Sequence, residues 1–217
     1  MGSNPTPSAI IQILRAKAAA TVRQIGTMIE STTVDHWFTT QRLRNVLHMR
    51  VEIPLLVRLL RVPPHCDVLE TGCGVGLGLV ALSQTCRPSS LTGVDVDGDL
   101  LRQARARFSA RRLAANLVQG DVRELPFPDE SFDLVIDFGT LYYVQPARQA
   151  ITEITRVLRI GAVLVHETAL SQLLAHPVAS SRRALPWQFV PQLCPRRSAG
   201  LWACRVKQAG PVDGSSA

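Results

Sequence analysis

The stretch V-L-E-T-G-C-G-V-G-L-G, Val68 to Gly78, constrains the fold more than any other part of this chain. A short apolar run ends in an acid, Glu70, and glycines then take alternate positions at Gly72, Gly74, Gly76 and Gly78. Glycine allows positive φ in a tight turn and leaves no Cβ between the backbone and whatever approaches it. The segment therefore reads as a strand that turns sharply into a helix beginning near Val75, with backbone N–H groups open at the helix start. A nucleotide-like ligand is the natural guest of such a turn.

Past the breaker at Val62–Pro64, short apolar runs alternate with helix-length segments, the pattern of βαβ units around a parallel sheet. Strands are predicted at Asp67–Glu70, Leu91–Asp95, Asn116–Gln119, Phe132–Asp137 and Ala162–Glu167, with helices at Val75–Cys86, Gly98–Arg112 and Ala147–Leu158. The fold class is α/β, a doubly wound, mostly parallel Rossmann-like sheet with an N-terminal helical extension. Helical spacing of apolar residues predicts that extension over Ala9–Glu30, Val34–Met49 and the segment R-V-E-I-P-L-L-V-R-L-L at 50–60. The expected organisation is a helical cap over 1–62, the sheet domain over 63–208 and a disordered tail over 209–217; residues 1–8 also read as disordered. After the fifth strand, frequent prolines leave one convincing apolar run, Leu201–Val206. A shortened or rearranged C-terminal end is the expectation.

Composition excludes several classes. No apolar run approaches the roughly 20 residues that a membrane-spanning helix needs. The start lacks the charged and apolar regions of a secretory signal, so the cytoplasm is the default location. Five cysteines, with no C-x-x-C pair, argue against a disulfide framework and a zinc site. A net charge of +7 invites a nucleic-acid reading. The densest cluster, Arg102, Arg105, Arg107, Arg111 and Arg112, lies however on a predicted helix, where a solvated outer face accounts for it. The dinucleotide pattern G-x-G-x-x-G fails as well, because counting from the first turn glycine brings its last position to Leu77.

The pattern E-x-G-x-G-x-G, Glu70 to Gly76, resembles instead the first motif of class I S-adenosylmethionine-dependent methyltransferases. Three further stretches agree in order and spacing: L-T-G-V-D-V-D around Asp95, Q-G-D-V-R-E-L-P-F-P-D-E-S-F-D-L-V-I-D, and E-I-T-R-V-L-R-I-G-A-V-L-V-H-E. In the last, Ile160 and Ala162 stand where the family usually has proline and a second glycine. The resemblance covers about Val51–Glu167 and is closest to the type 11 enzymes, among them the quinone-biosynthesis C-methyltransferases.

That resemblance implies S-adenosylmethionine as cofactor and assigns residues to it. Glu70, Gly72, Cys73, Gly74 and Gly76 would form the turn around it, and Asp95, beside Val96, would accept hydrogen bonds from the ribose hydroxyls. Asp121 would meet the adenine amino group, Val122 would offer its backbone N–H to the ring, and Asp137 and Phe138 would lie near the methionine part. The implied reaction is in-line methyl transfer to a small, apolar or lipid-like acceptor, without a metal; an RNA methyltransferase and a non-catalytic cofactor-binding protein are the alternatives. Two residues are candidates for catalysis. His166 is expected at the carboxyl edge of the fifth strand, and histidine titrates in the useful range. Tyr142 belongs to a Tyr142–Tyr143 pair of which one member would line the pocket and the other the core.

Overall fold

A computed structural model describes residues 48–60, 64–169, 171, 185–199 and 202–210. The helix predicted over Ala9–Glu30, all but the end of the one over Val34–Met49, and residues 1–8 and 211–217 lie outside the described residues.

A π-helical turn at His48–Glu52 leads into α1 (Ile53–Leu60). The chain then alternates through β1 (Asp67–Thr71), α2 (Leu77–Thr85), β2 (Ser90–Asp95), α3 (Gly98–Ala110), β3 (Asn116–Gln119), β4 (Phe132–Asp137), α4 (Ala147–Val157) and β5 (Leu158–Glu167). A short 3-10 turn, Thr140–Tyr142, sits between β4 and α4, and another, Trp187–Phe189, precedes β6 (Leu193–Ala199) and β7 (Trp202–Lys207). The strands form one sheet in the order β3-β2-β1-β4-β5-β7-β6. Strands β1 to β5 run parallel, whereas β7 is antiparallel to both β5 and β6. The chain winds outward from β1 to β3 and then returns to place β4 on the other side of β1. That reversal opens a crevice at the carboxyl ends of β1 and β4, the usual place for a ligand in such a sheet.

Helices cover both faces, which is why the central strands are apolar on successive residues. On one face Val68, Leu134, Ile136 and Val165 pack with Leu79 and Leu82 of α2 and with Ile53, Leu56 and Val57 of α1. Helix α1, which the expected boundary at residue 62 assigns to the cap, is thus part of the sheet's own core. On the other face Leu69, Val135 and Leu164 meet Ala150, Ile151 and Ile154 of α4, whose buried positions recur at helical spacing. Helix α3 starts at Asp97, whose carboxylate accepts the N–H groups of Asp99 (2.8 Å) and Leu100 (3.2 Å). The arginines of α3 do not stand free as a cationic face. Arg105 donates to the carbonyl of Leu117 at 2.9 Å, Arg107 to that of Val75, and Arg102 pairs with Asp99.

The C-terminal end corrects the sequence expectation. Two strands follow β5, and the sheet reaches seven. β7 matches the apolar run near Leu201–Val206, but β6, L-C-P-R-R-S-A, has no apolar alternation to announce it. As the edge strand it pairs on one side only, so Pro195 is tolerated beside a register shift between Pro195 and Arg197. β5 also begins earlier than Ala162, because Leu158 already pairs with Phe132 before a bulge.

Glycines at the β1–α2 turn answer to different neighbours. Gly72, Gly74 and Gly76 have φ of 62°, 51° and 76°. Gly78 is required by space: a Cβ there would lie 2.3 Å from Oε1 of the buried Glu70. Replacing Gly78 with alanine should therefore destabilise the fold by about 1–3 kcal/mol, the scale of overpacking. Urea unfolding checks this as a lowered midpoint at unchanged slope; a wild-type midpoint would refute the packing described.

Candidate functional site

At the carboxyl ends of β1 to β4 lies a cleft of about 250 Å³, bordered by Gly72, Asp95, Val96, Asp121, Val122, Arg123, Thr140, Tyr143 and Gln145 among others. Its floor is set by backbone hydrogen bonds. Cys73 N–H donates to the Val94 carbonyl at 3.1 Å, and Gly76 N–H to the Cys73 carbonyl at 2.8 Å. Gly74 N–H donates to Oδ2 of Asp95 at 2.7 Å, while Oδ1 of Asp95 takes the N–H of Asp97 at 2.9 Å. The end of β2 is thereby tied to the glycine turn, 21 residues away in sequence. A Cβ on Gly72 would strike Thr140 Oγ1 at 1.8 Å, whereas one on Gly74 would meet nothing within 4 Å. Space next to Gly74 is open to a ligand.

Several residues assigned to the cofactor from the sequence lie elsewhere. Glu70 is buried behind the turn, at the start of α2, where it accepts a hydrogen bond from the Leu79 N–H. An anion is favoured at a helix N-terminus, yet burial pushes this carboxyl well above the usual range and Oε2 has no hydrogen-bond partner. The Cys73 side chain is also buried, and burial raises its thiol pKa. Asp137 is 1% exposed. It accepts from Thr71 Oγ1 at 2.8 Å and from the N–H groups of Gly139 (3.0 Å) and Leu141 (3.2 Å), with its pKa pushed up to about 6 by burial. It braces the β4 turn instead of lining the cleft. Phe138 packs edge-on against Trp202, ring centroids 5.1 Å apart, in contact with the core on the α2 side of the sheet.

The tyrosine pair resolves the opposite way from the expectation for Tyr142. Its hydroxyl donates to the Glu167 carbonyl at 3.2 Å, the ring sits in the core, and burial pushes the phenol up to about 12. Tyr143, half exposed at the end of the same 3-10 turn, borders the cleft. His166 is at the end of β5, in register with Asp137. Its Nδ1 lies 2.8 Å from the Glu167 carbonyl, an acceptor only, so Nδ1 carries the hydrogen and Nε2 the lone pair. Nε2 is buried with no hydrogen-bond partner. The ring stacks on Trp187 at 4.5 Å, and burial lowers its pKa to about 4.

Asp121 reaches the cleft wall but is held by Arg123, whose Nε lies 3.0 Å from both carboxylate oxygens. The sequence reading missed Arg123, Thr140 and Gln145 as cleft residues. Only the closeness of Arg123 to Asp121 in sequence carried a signal; the other two arrive through the turn after β4.

The sequence pattern of the family described as "Methyltransferase domain" matches residues 69–166, from within β1 to the last residue but one of β5. Residues 69–166 carry the methyltransferase domain of the type 11 family. Among the chain's relatives is the fatty-acid O-methyltransferase of Mycolicibacterium smegmatis, 38% identical over 102 residues, 47% of this chain and 36% of that protein. The phthiotriol/phenolphthiotriol dimycocerosates methyltransferase of Mycobacterium tuberculosis is 37% identical over 95 residues, 44% of this chain and 34% of that one. The chain thus matches little more than a third of the length of either relative. In fold it resembles an S-adenosylmethionine-dependent methyltransferase of Aquifex aeolicus, with a TM-score of 0.62 at 15% identity over 75% of this chain and 92% of that one.

The cofactor of this family is S-adenosylmethionine. The glycine turn and the end of β2 fit it in two respects. The open side of Gly74 lets a ligand lie against bare backbone, and an acid at Asp95 suits a ligand that carries positive charge and no pyrophosphate. At about 250 Å³ the cleft falls short of the roughly 300–1,000 Å³ of complete small-molecule sites, so the described residues enclose part of such a ligand. No helix among the described residues is long and apolar enough to cross a membrane.

The environment of His166 predicts a pH dependence of stability. Its pKa falls from 6.5 to about 4 on folding. Between these values the unfolded chain binds a proton that the folded chain refuses, so the contribution present above pH 6.5 is lost as pH drops toward 4. Asp137 acts in reverse, since its raised pKa stabilises the fold as pH falls from about 6 to 3.8. Subtraction isolates the histidine: the stability of wild type relative to His166→Leu should fall by about 3 kcal/mol from pH 6.5 to 4, at 1.36 kcal/mol per unit. Urea titrations at the two pH values measure it, and a constant difference would show that His166 is not held neutral by burial.

Proposed function

We propose that the chain is an S-adenosylmethionine-dependent methyltransferase whose acceptor is a small, apolar or lipid-like molecule. The observation that carries this reading is the Gly74–Asp95 junction, where a side-chain-free turn with open space beside it is fastened to a carboxylate at the switch point of the sheet. Gly72, Gly74 and Asp95 would hold the cofactor from one side, with Val96 and Val122 as apolar walls. Bound there, S-adenosylmethionine supplies a methyl group already activated by the adjoining positive sulfur. The chain's own task is then to orient the acceptor and exclude water, effects that supply much of the acceleration in a displacement of this kind.

The relatives named for fatty acids and phthiotriol lipids support a lipid-like acceptor. A carboxylic acid is ionised at neutral pH and needs no base, whereas a hydroxyl must lose its proton to react. For a hydroxyl acceptor the sequence reading offers His166 as base, but its Nε2 is buried, its pKa is lowered to about 4 and it does not border the cleft, so the lipid-like acceptor that needs no base, a carboxylate, is favoured. Tyr142, committed to the core, has no part in this scheme.

Incubating the protein with radiolabelled methyl donor, fatty acids and hydroxylated lipids tests activity and acceptor together; label in neither class would reject the acceptor assignment. Calorimetry with S-adenosylhomocysteine tests the cofactor site. Asp95→Ala should weaken binding by about 1–3 kcal/mol, the scale of hydrogen bonds to a charged group, and an unchanged affinity would remove Asp95 from the site.

A further inference from the structure

The family resemblance gives the cofactor's base to Asp121, but the carboxylate of Asp121 is already engaged by Arg123. Its Oδ1 accepts the Arg123 backbone N–H at 2.8 Å and Arg123 Nε at 3.0 Å. Its Oδ2 accepts Arg123 Nε at 3.0 Å and Arg123 Nη2. Three N–H groups, one of them shared between both oxygens, thus take most of the roughly four lone-pair directions of a carboxylate, and an amino group would have to compete with Arg123 for them. These bonds, first among them the guanidinium's own, hold the Asp121 carboxyl below the usual range and keep it ionised.

Arg123 is fixed from a second direction. Its Nη1 donates at 2.7 Å to the carbonyl of Gln145, 22 residues on, so the guanidinium spans from the turn after β3 to the turn after β4. Both turns border the cleft, as does Tyr143 beside the Gln145 anchor. The side chain of Arg123 is 41% exposed in spite of these contacts. A guanidinium locked in one plane, with a face and unused N–H donors left over, is suited to stacking on a heteroaromatic ring and to its acceptor nitrogens.

We propose that Arg123, rather than Asp121, is the residue that meets the purine base of the cofactor, with Asp121 and the Gln145 carbonyl as positioning groups that hold the guanidinium flat. The inference rests on the proposed cofactor reading and deepens it. The carboxylate does not read the exocyclic amine; the cleft selects a flat, electron-rich heterocycle. Loss of Asp121 then acts only through Arg123.

Calorimetry with S-adenosylhomocysteine and its 6-deamino purine analogue separates the two assignments, since the analogue keeps the ring nitrogens and lacks the amine. Wild type should bind both within about threefold of each other. Arg123→Ala should weaken both by about tenfold, and Arg123→Lys should restore little, because an ammonium has neither the plane nor the fork. Asp121→Ala should cost a similar factor in wild type and nothing further in the Arg123→Ala background. The inference is overturned if the analogue binds wild type more than tenfold worse than the parent, if Arg123→Ala binds normally, or if the two losses multiply in the double variant. A wild-type protein that binds neither ligand sinks the cofactor reading, and this inference with it. Melting curves confirm that each variant is folded at the temperature of measurement.

Discussion

The hydrogen bond from the Gly74 amide to the Asp95 carboxylate holds together the two chain segments on which the rest of the site depends. It joins the turn after β1 to the end of β2, the neighbouring strand in the sheet. It adds a side-chain tie to the backbone bonds from Cys73 to Val94 and from Gly76 to Cys73 that also hold the turn. With it, Asp95 is aimed at the cleft and the Gly74 backbone is presented bare. The same turn is supported from below by Glu70, for which Gly78 leaves room at the start of α2. One acid therefore shapes the turn from inside the protein while another faces the ligand side. Both lie at the carboxyl ends of strands, and both precede a helix start.

Burial sorts the ionisable groups of this edge into two kinds. Glu70, Asp137 and His166 are all enclosed, and desolvation drives each toward its neutral form: the two acids upward, the imidazole downward. Asp137 offsets part of that cost with hydrogen bonds from Thr71, Gly139 and Leu141 and thereby acts as a strut. Asp121 takes the opposite course, because a fixed guanidinium beside it favours the charged form. The groups enclosed behind the cleft are thus pushed toward neutrality, whereas Asp121 at its wall is held charged.

Much of the sheet was legible in the sequence because its strands are short apolar runs with hard punctuation. Asn116–Gln119 and Phe132–Asp137 fall where the pattern puts them. β6 was not legible, for an edge strand whose Leu193 reaches the core can still carry Pro195 and two arginines farther along it. The arginines of α3 lie on a largely exposed face, as the helical pattern predicts, but their partners were not legible. Charge density is visible in a sequence, but the carbonyls of Leu117 and Val75 that receive Arg105 and Arg107 come from elsewhere in the fold.

Adjacent residues at a strand end part company in three dimensions. Asp137 and Phe138 point to opposite faces, and a 3-10 turn sends Tyr142 inward and Tyr143 to the cleft. The pattern of the chain alone determined the glycine turn, the acid that ends β2 and the alternation of strand and helix, since these are local matters of backbone freedom and apolar period. Tertiary structure alone decided which acids face the cleft, which tyrosine lines it and that Arg123, anchored on Gln145, holds Asp121. Those outcomes depend on the side of the sheet to which a residue points and on partners brought from distant segments, and neither can be read from spacing along the chain.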